Sequence, residues 1–353
     1  MILKNNKNLE IYIFNVDRGL SILCKTPQNH VLIYDLGSAK DFSPIKDIYK
    51  TKDFFSKMEK YDGKYIAQTM ISHPHLDHIS DLTDENVNFI KDNSALITCQ
   101  NDKEEKPTNQ HYNKVGHKID FNRINNPDYS TSQINNYKEL YKGRNLPLRT
   151  IDPGVENCNF KMGYYYLIHK NINLKFSEDQ DYTNSLSIVL YISYNDYSIL
   201  IPGDITPEAF ELILNGKCEK RFMDCNYSMS GTRHLSWTSS TNEEQPSLRT
   251  LLTKDGLTFL VAPHHGLESC YPDYLFKILG NKKPSLILIS EGKHTEKSGN
   301  IDERYQSNEC ATGKFFKGRN RYSITTRNDG HIKILINEKY TIDSYNDYGD
   351  MFK

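Results

Sequence analysis

The chain has 353 residues, 37% of them hydrophobic, and a formal net charge of −1 at pH 7. That length allows one large domain or two ordinary ones, and the near-zero charge leaves only a local basic groove, not a global field, to attract nucleic acid. No apolar stretch approaches the ~18 residues a membrane span needs, and the scattered Cys24, Cys99, Cys158, Cys218, Cys225, Cys270 and Cys310 lack the spacing of a disulfide framework or a cysteine-rich zinc module.

The first residues carry no apolar leader segment, so with reduced thiols the chain reads as cytoplasmic. Leu9–Val16 is expected as a strand, and Ser21–Lys25 with Val31–Leu36 as a hairpin. Residues 44–59 have helical spacing, Tyr65–Ser72 is an apolar run of strand length, 81–92 reads as helix, and Ala95–Cys99 as strand. A polar stretch at about 101–160 breaks this rhythm and is expected to be an insertion or lid. Strands resume at Tyr164–His169, Leu174–Phe176, Ser187–Ser193 and Ser198–Ile201, with a helix at Pro207–Leu214 whose proline takes a permitted first-turn position. A second polar insertion covers about 219–248 and holds Trp237. The chain then reads strand (Thr258–Ala262), helix (Tyr271–Leu279), strand (Ser285–Ser290) and an irregular segment at 291–319. It closes on a hairpin over 321–336 turning on Asn328, Asp329 and Gly330. No internal repeat is apparent, and an α/β fold in one domain, 1–353, with two insertions is the expectation.

Chemistry concentrates at Met70–Ile79, Met-Ile-Ser-His-Pro-His-Leu-Asp-His-Ile. Here His73, His75, Asp77 and His78 follow an apolar strand directly. Imidazole and carboxylate are the donors that zinc and related divalent ions take, and a strand end positions them before any ion arrives. Two further strands end the same way. Ile199–Asp204 delivers Asp204 after Pro-Gly, and Phe259–Gly266 delivers the pair His264–His265. Alone, such an aspartate is an ordinary turn residue and such a histidine an ordinary cap. Three strand ends supplying donors together point to a metal centre.

These motifs resemble the metallo-β-lactamase superfamily, and within it the β-lactamase-like domain of the DNA-uptake protein ComEC. Asn15–Leu23 is similar to that group's opening Asp-Val-Gly-Gln-Gly-Asp-Ser-Ile-Leu, and Val31–Gly37 to its Ile-Leu-Ile-Asp-Gly-Gly. Asn184–Leu190 is similar to its Asn-x-x-Ser-Leu-Val-Leu, and Pro263–Gly266 is its Pro-His-His-Gly. The resemblance implies a four-layer αββα sandwich and two divalent metal ions, zinc or manganese. His73 and His75 would hold the first ion; Asp77, His78 and one of His264 and His265 the second; Asp204 would bridge them. Asp35 would lie beneath the site and orient its ligands. The chain departs from the pattern at Asn15 and Leu20, where acidic residues are missing. Near Asn184, where classical members place a further histidine, the chain lacks it, as the ComEC group does; Asn184 would lie beside the ligands. His294, the nearest histidine after Ser290–Gly292, is a candidate for a substrate-binding role.

The chemistry implied is hydrolysis. Two divalent ions about 3.5–4 Å apart lower the pKa of a shared water and stabilise charge on an attacked phosphorus or carbonyl, with Asp77 and Asp204 as catalytic carboxylates. The same resemblance implies phosphodiesters, with DNA or another nucleic acid as the substrate partner. Residues 101–150 interleave nine Lys/Arg with Tyr112, Tyr129, Tyr137 and Tyr141, the mixture that binds phosphates and stacks bases. Lys138, Lys142 and Arg144 are candidate contacts. Six acidic residues in the same stretch keep a solvated loop as the alternative. The rival functions are a small-molecule hydrolase (nucleotide, lactone, thioester or phosphocholine ester) and a catalytically eroded interaction module.

Overall fold

The computed structural model describes residues 8–56, 58–100, 131–141, 159–167, 179–224, 246–292 and 300–352. Sixteen strands occur among them. The first sheet takes β1 (Leu9–Ile13), β2 (Ile22–Lys25), β3 (Val31–Tyr34), β4 (Ile66–Met70), β5 (Ser94–Thr98), β15 (His331–Ile336) and β16 (Tyr340–Tyr345), in the order β16-β15-β1-β2-β3-β4-β5. The second takes β6 (Phe160–Tyr166), β7 (Val189–Tyr194), β8 (Tyr197–Ile201), β9 (Glu219–Asp224), β10 (Phe259–Val261), β11 (Leu286–Ile289) and β14 (Ser323–Thr325), in the order β14-β11-β10-β8-β7-β6-β9. A separate two-stranded ribbon pairs β12 (Lys314–Phe316) with β13 (Arg319–Arg321).

Period-two alternation explains how the layers stack. Leu9, Ile11 and Ile13 of β1 share one buried cluster with Ile199 and Ile201 of β8, Phe259 and Val261 of β10, and Leu286 and Leu288 of β11. That cluster is the seam between the two sheets. The intervening residues, Tyr12, Leu200, Leu260 and Ile287, join a second cluster with helix residues. Val87 and Ile90 of α3 (Asp84–Asn93) reach it, as do Phe210 and Ile213 of α6 (Pro207–Leu214), Leu251 and Leu252 of α7 (Leu248–Asp255), and Leu275 and Leu279 of α8 (Asp273–Leu279). Helices therefore cover the outer faces, and the molecule is a four-layer αββα sandwich. Each fully buried Leu or Ile in these seams contributes roughly 1.5–3 kcal/mol.

Helix ends follow the sequence. Thr83, Thr206 and Ser247 each accept a backbone N–H in the first turn of the helix they open, satisfying a donor that the helix leaves unpaired. The shorter helices are α1 (Lys52–Ser56), α2 (Leu76–Ile79), α5 (Asp179–Ser185) and α9 (Thr326–Asp329).

Three expectations need correction. Residues 321–336 do not form a hairpin. β14 lies in the second sheet, parallel to β11, and β15 lies in the first, antiparallel to β1. Between them Thr325 caps α9 through Asn328, and the Asp329 carboxylate binds Arg321 and the Thr325 N–H, so Asn328–Gly330 closes a helical turn instead of a tight β-turn. The true hairpin pairs β15 with β16. Second, the polar stretch beginning at 219 opens with β9, an edge strand on β6. Its charged Glu-Lys-Arg start hides the strand, because a sheet edge tolerates charge. Third, the first polar stretch contains α4 (Thr131–Tyr141), with Tyr137 and Leu140 wholly buried. Leu174–Phe176, Trp237 and the rest of 101–130 lie outside the described residues.

Parallel pairing sets up the site. β3, β4 and β5 run parallel in one sheet, and β8, β10, β11 and β14 in the other. Loops at the carboxyl ends of parallel strands are where open α/β sheets form their crevices.

Candidate metal centre

Asp35 leaves the end of β3, Ser72 to His78 leave β4, Asp204 leaves β8, and His264 and His265 leave β10. Asp77 and His78 sit in α2, the turn that follows His75. Gly203 makes the close approach possible. Its φ is 62°, and a Cβ there would lie 2.9 Å from Cβ of Ser72. Three non-glycine residues of the site hold left-handed backbone: Asp35 (φ 61°), His264 (φ 45°) and His265 (φ 57°). Such conformations cost about 1–3 kcal/mol each and persist where surrounding contacts impose them, often at functional sites.

Four donors converge. One ligand atom each from Asp77, His78, Asp204 and His265 lie within 4.8 Å of one another. Nε2 of His265 is 3.2 Å from Asp77 Oδ2 and 3.5 Å from Asp204 Oδ2. Nε2 of His78 is 3.1 Å from Asp204 Oδ1. That nitrogen nevertheless has no hydrogen-bond partner, and neither does buried Nε2 of His73. A short distance without hydrogen-bond alignment is what two ligands sharing an ion would show. Buried polar atoms rarely stay unpaired without a reason, so the donor set fits a divalent cation.

Behind the donors, each ring is held by its other nitrogen. His78 Nδ1 lies 2.7 Å from Asp35 Oδ2, and Ser72 donates to Asp35 from its backbone N–H (2.6 Å) and its hydroxyl (2.8 Å). His73 Nδ1 is 3.0 Å from Ser72 Oγ and 3.3 Å from Ser187 Oγ, which also accepts the Asp204 N–H. His265 Nδ1 meets the Ser290 carbonyl at 3.1 Å, and His264 Nδ1 meets Cys270 Sγ at 2.9 Å. Leu20 N–H donates to the Asp77 carbonyl at 3.3 Å, tying the opening motif to the same turn.

The electrostatics agree with this crowding. Burial would lower His78, but Asp204, Asp35 and Asp77 outweigh it and raise its pKa well above the usual value. His265 is pushed to about 9 by Asp204 and Asp77 against burial. Burial would raise Asp77 and Asp204, yet the neighbouring imidazoles hold both well below the ordinary carboxylate range. Burial, then the neighbouring imidazoles, pulls His73 down, and burial takes His75 to about 4. His264 is lowered mainly by burial. Asp35 is raised by burial despite His78 and Ser72. A divalent cation here would meet carboxylates already charged.

His73 and His75 rings lie 4.6 Å apart, and His73 and His78 rings 4.3 Å apart. Among the described residues, neither His73 nor His75 belongs to the convergent group of four. Asn184 is buried with its amide oxygen unpartnered. Lys138 sits half-buried on α4. Its neighbour Tyr137 is in the core and donates its hydroxyl to the Gln100 carbonyl at 2.6 Å, so Tyr137 is no platform for a base. Lys142, Arg144 and His294 lie outside the described residues. Sequence reasoning missed Ser72, Ser187 and Ser290 as anchors. Ser72 was the findable one, since it precedes the first histidine on the strand that carries the motif.

No protein family and no curated protein matches the chain at a meaningful level. Solved structures do. The metallo-β-lactamase fold protein YhfI from Bacillus subtilis matches at 13% identity and TM-score 0.25, over 55% of this chain and 62% of its own length, less than two thirds of that protein. Unliganded yeast PDE1 matches at 14% identity and TM-score 0.36, over 82% of this chain and 89% of that one. The long form of RNase Z from yeast matches at 11% identity and TM-score 0.35, over 100% of this chain and 44% of that one. Superpositions this loose leave the fold to be read from the two sheets themselves.

Proposed function

We propose that the chain is a two-metal hydrolase of the metallo-β-lactamase superfamily that cleaves phosphodiesters, with nucleic acid as the substrate class. The observation that carries this reading is the convergence of Asp77, His78, Asp204 and His265, with His78 Nε2 beside a carboxylate it does not hydrogen-bond. Two divalent ions would supply Lewis acidity at an attacked phosphorus and a nucleophile at neutral pH.

The chain's own residues do the rest. Asp204 presents one oxygen to His78 and the other to His264 and His265, the placement of a carboxylate shared between two positions. Asp35 fixes the His78 tautomer with Nδ1 carrying the proton, which leaves Nε2 as a donor atom. Asp77 is the member of the quartet that reaches solvent, with 27% of its side chain exposed against 3% for Asp204. As a charged carboxylate on the more exposed side of the quartet, it can accept a proton from an attacking water and relay it to a departing oxygen.

Phosphodiesters are favoured over lactones and thioesters by the motif resemblance to the ComEC domain and by the basic composition of 101–150. The discriminating experiment is a substrate panel. Protein supplied with Mn²⁺ or Zn²⁺ is assayed on plasmid, single-stranded DNA, RNA, bis-p-nitrophenyl phosphate and a lactone. Cleavage of the phosphodiesters with the lactone untouched is the expected result. Lactone turnover alone would make the chain a small-molecule hydrolase, and no turnover with metal bound would make it an interaction module.

A further inference from the structure

We propose that the ribbon of β12 and β13 is a second binding surface, for single-stranded nucleic acid, with Phe315 as the platform for a base and Lys317 and Arg319 as phosphate contacts. The inference extends the substrate class named above but does not rely on the metal centre, which lies at the other end of the sheet.

The sequence sets the ribbon apart. Ala311–Tyr322 contains Lys314, Lys317, Arg319 and Arg321 and no acidic residue, although the whole chain balances 44 basic residues with 45 acidic ones. Lys317 and Gly318 form its two-residue turn, both with left-handed backbone, at φ 46° and φ 81°. That conformation matches a tight hairpin to the twist of its strands. The arm is therefore short and stiff, and it holds its side chains in fixed places.

Register sorts those side chains onto two faces. Directly paired residues share a face, so Lys314, Phe316, Arg319 and Arg321 stand on one, and Phe315 and Asn320 on the other. The first face is fastened to the body. Phe316 is buried, Lys314 Nζ lies 4.5 Å from the centre of the Tyr340 ring, and Arg321 donates to both carboxylate oxygens of Asp329. The second face is left outward. Phe315 is 71% exposed, and among the described residues no other large hydrophobic side chain is exposed. Asn320 is exposed beside it, its amide lying across Gly313, where a Cβ would come 2.8 Å from Nδ2. At the turn, Lys317 keeps 51% of its side chain exposed with Nζ a loose 3.9 Å from Asp329, and the adjoining Arg319 is exposed too.

This combination fits a flexible nucleic-acid strand. An aromatic face stacks any base, an amide can meet a base edge, and cations beside them neutralise phosphates. A lipid surface fits less well, because one phenylalanine is little apolar area to insert and the Asn320 amide would enter hydrocarbon with it. An acidic peptide would use the cations but has no need of the ring.

The ribbon's place in the fold separates it from the chemistry. Thr312 N–H donates to the Pro284 carbonyl ahead of β11, and Ile287 N–H to the Tyr322 carbonyl. Ser290, which meets His265, follows β11 at its opposite end. The run from Pro284 to Ser290 spans roughly 20 Å of extended chain. The ribbon therefore anchors a strand at a distance and takes no part in the bond that breaks.

The test is fluorescence anisotropy with a labelled oligothymidine of about 20 nucleotides, longer than the usual site, in chelator so that nothing is cleaved. Wild-type protein is expected to bind it, more weakly as salt rises. Phe315→Ala should weaken binding by roughly 5–150-fold, the loss of one stacked base, at an unchanged salt slope. Lys317→Asn with Arg319→Gln should instead shrink the log–log slope by about 1.4, two single-strand phosphate contacts. Phe315→Trp should keep the affinity of the aromatic and show emission quenched by the oligonucleotide. With Mn²⁺ added, these variants should hydrolyse bis-p-nitrophenyl phosphate at the wild-type rate, and a fall in that rate would overturn the role of a remote anchor. Unchanged oligonucleotide affinity in Phe315→Ala would overturn the proposal, as would Phe315-dependent binding of phosphatidylserine vesicles or polyglutamate by a protein that ignores the oligonucleotide. Binding through Phe315 in a protein that hydrolyses nothing would sustain this inference and remove the hydrolase reading, and phosphodiester hydrolysis without such binding would do the reverse.

Discussion

Nδ1 of His78 and Oδ2 of Asp35 lie 2.7 Å apart with both side chains wholly buried. Asp35 is itself held in left-handed backbone (φ 61°) and by two hydrogen bonds from Ser72. The pair links the end of β3 to the turn after β4, and it fixes which nitrogen of His78 faces Asp204. Asp35→Asn keeps the shape but can turn an amide N–H towards His78, favouring the wrong tautomer. Affinity for the divalent ion that His78 would hold should fall roughly 10–100-fold with the fold intact. Calorimetric titration checks this, and unchanged affinity would make Asp35 a structural residue only.

Gly203 allows the strand end carrying Asp204 to press against Ser72. Gly203→Ala adds a methyl where only 2.9 Å is free, at a φ of 62° that favours glycine. The substitution should cost about 1–2 kcal/mol of stability and lower metal affinity as well, because Asp204 must shift. Thermal unfolding with metal titration would show both. A stability loss with wild-type metal affinity would mean that Asp204 does not depend on this close approach.

How much of this was legible in the sequence differs by element. The strands β1 to β5 and the helix Pro207–Leu214 were readable because apolar periodicity there is uninterrupted. The convergence of Asp77, His78, Asp204 and His265 was readable because these residues follow strand ends. α4 was hidden because its sequence is largely polar, with Ile134, Tyr137 and Leu140 the apolar residues it packs against the core and a buried Asn136 beside them. β9 was hidden because edge strands carry charge. The path from β14 to β15 was misread because a Thr-capped helical turn uses the same Asn-Asp-Gly residues as a β-turn. Anchors such as Ser290, whose carbonyl meets His265, leave no mark in composition, since any residue could supply that atom.

Protonation of His331 should limit stability in acid. Its ring is buried among Phe14, Phe42 and Tyr348, and Nδ1 accepts the Asn15 N–H at 3.1 Å. Burial lowers its pKa to about 4, with Asp347 opposing. The unfolded chain therefore binds the proton first as pH falls, near the ordinary value of about 6.5. Stability is present above that value and is lost between about pH 6.5 and 4, by on the order of 2 kcal/mol after solvent screening. In metal-free protein, His331→Asn keeps an acceptor for Asn15 and should flatten the pH dependence of the denaturation midpoint across this window. Identical slopes in the two proteins would contradict the assignment.

If nucleic acid is the substrate, the basic residues around α4 should contribute to its affinity. Charge reversal of Lys138, Lys142 and Arg144 together should weaken DNA binding and flatten its salt dependence. On duplex DNA the log–log slope should shrink by about 0.9 for each phosphate no longer neutralised. Fluorescence anisotropy across a salt series measures this. An unchanged slope would return the segment to the role of a solvated insertion.

The most direct test of the central claim is hydrolysis of bis-p-nitrophenyl phosphate by chelator-stripped protein as Mn²⁺ is added back, beside folded Asp204→Asn. Asp204 lies among the Nε2 atoms of His78, His264 and His265, so a two-metal hydrolase depends on its charge. The account predicts no turnover without metal, turnover rising with Mn²⁺ in the wild type, and a loss of at least about 100-fold in the variant, a barrier change of roughly 2.7 kcal/mol. Turnover that survives chelation, or that Asp204→Asn leaves at the wild-type rate, would contradict it.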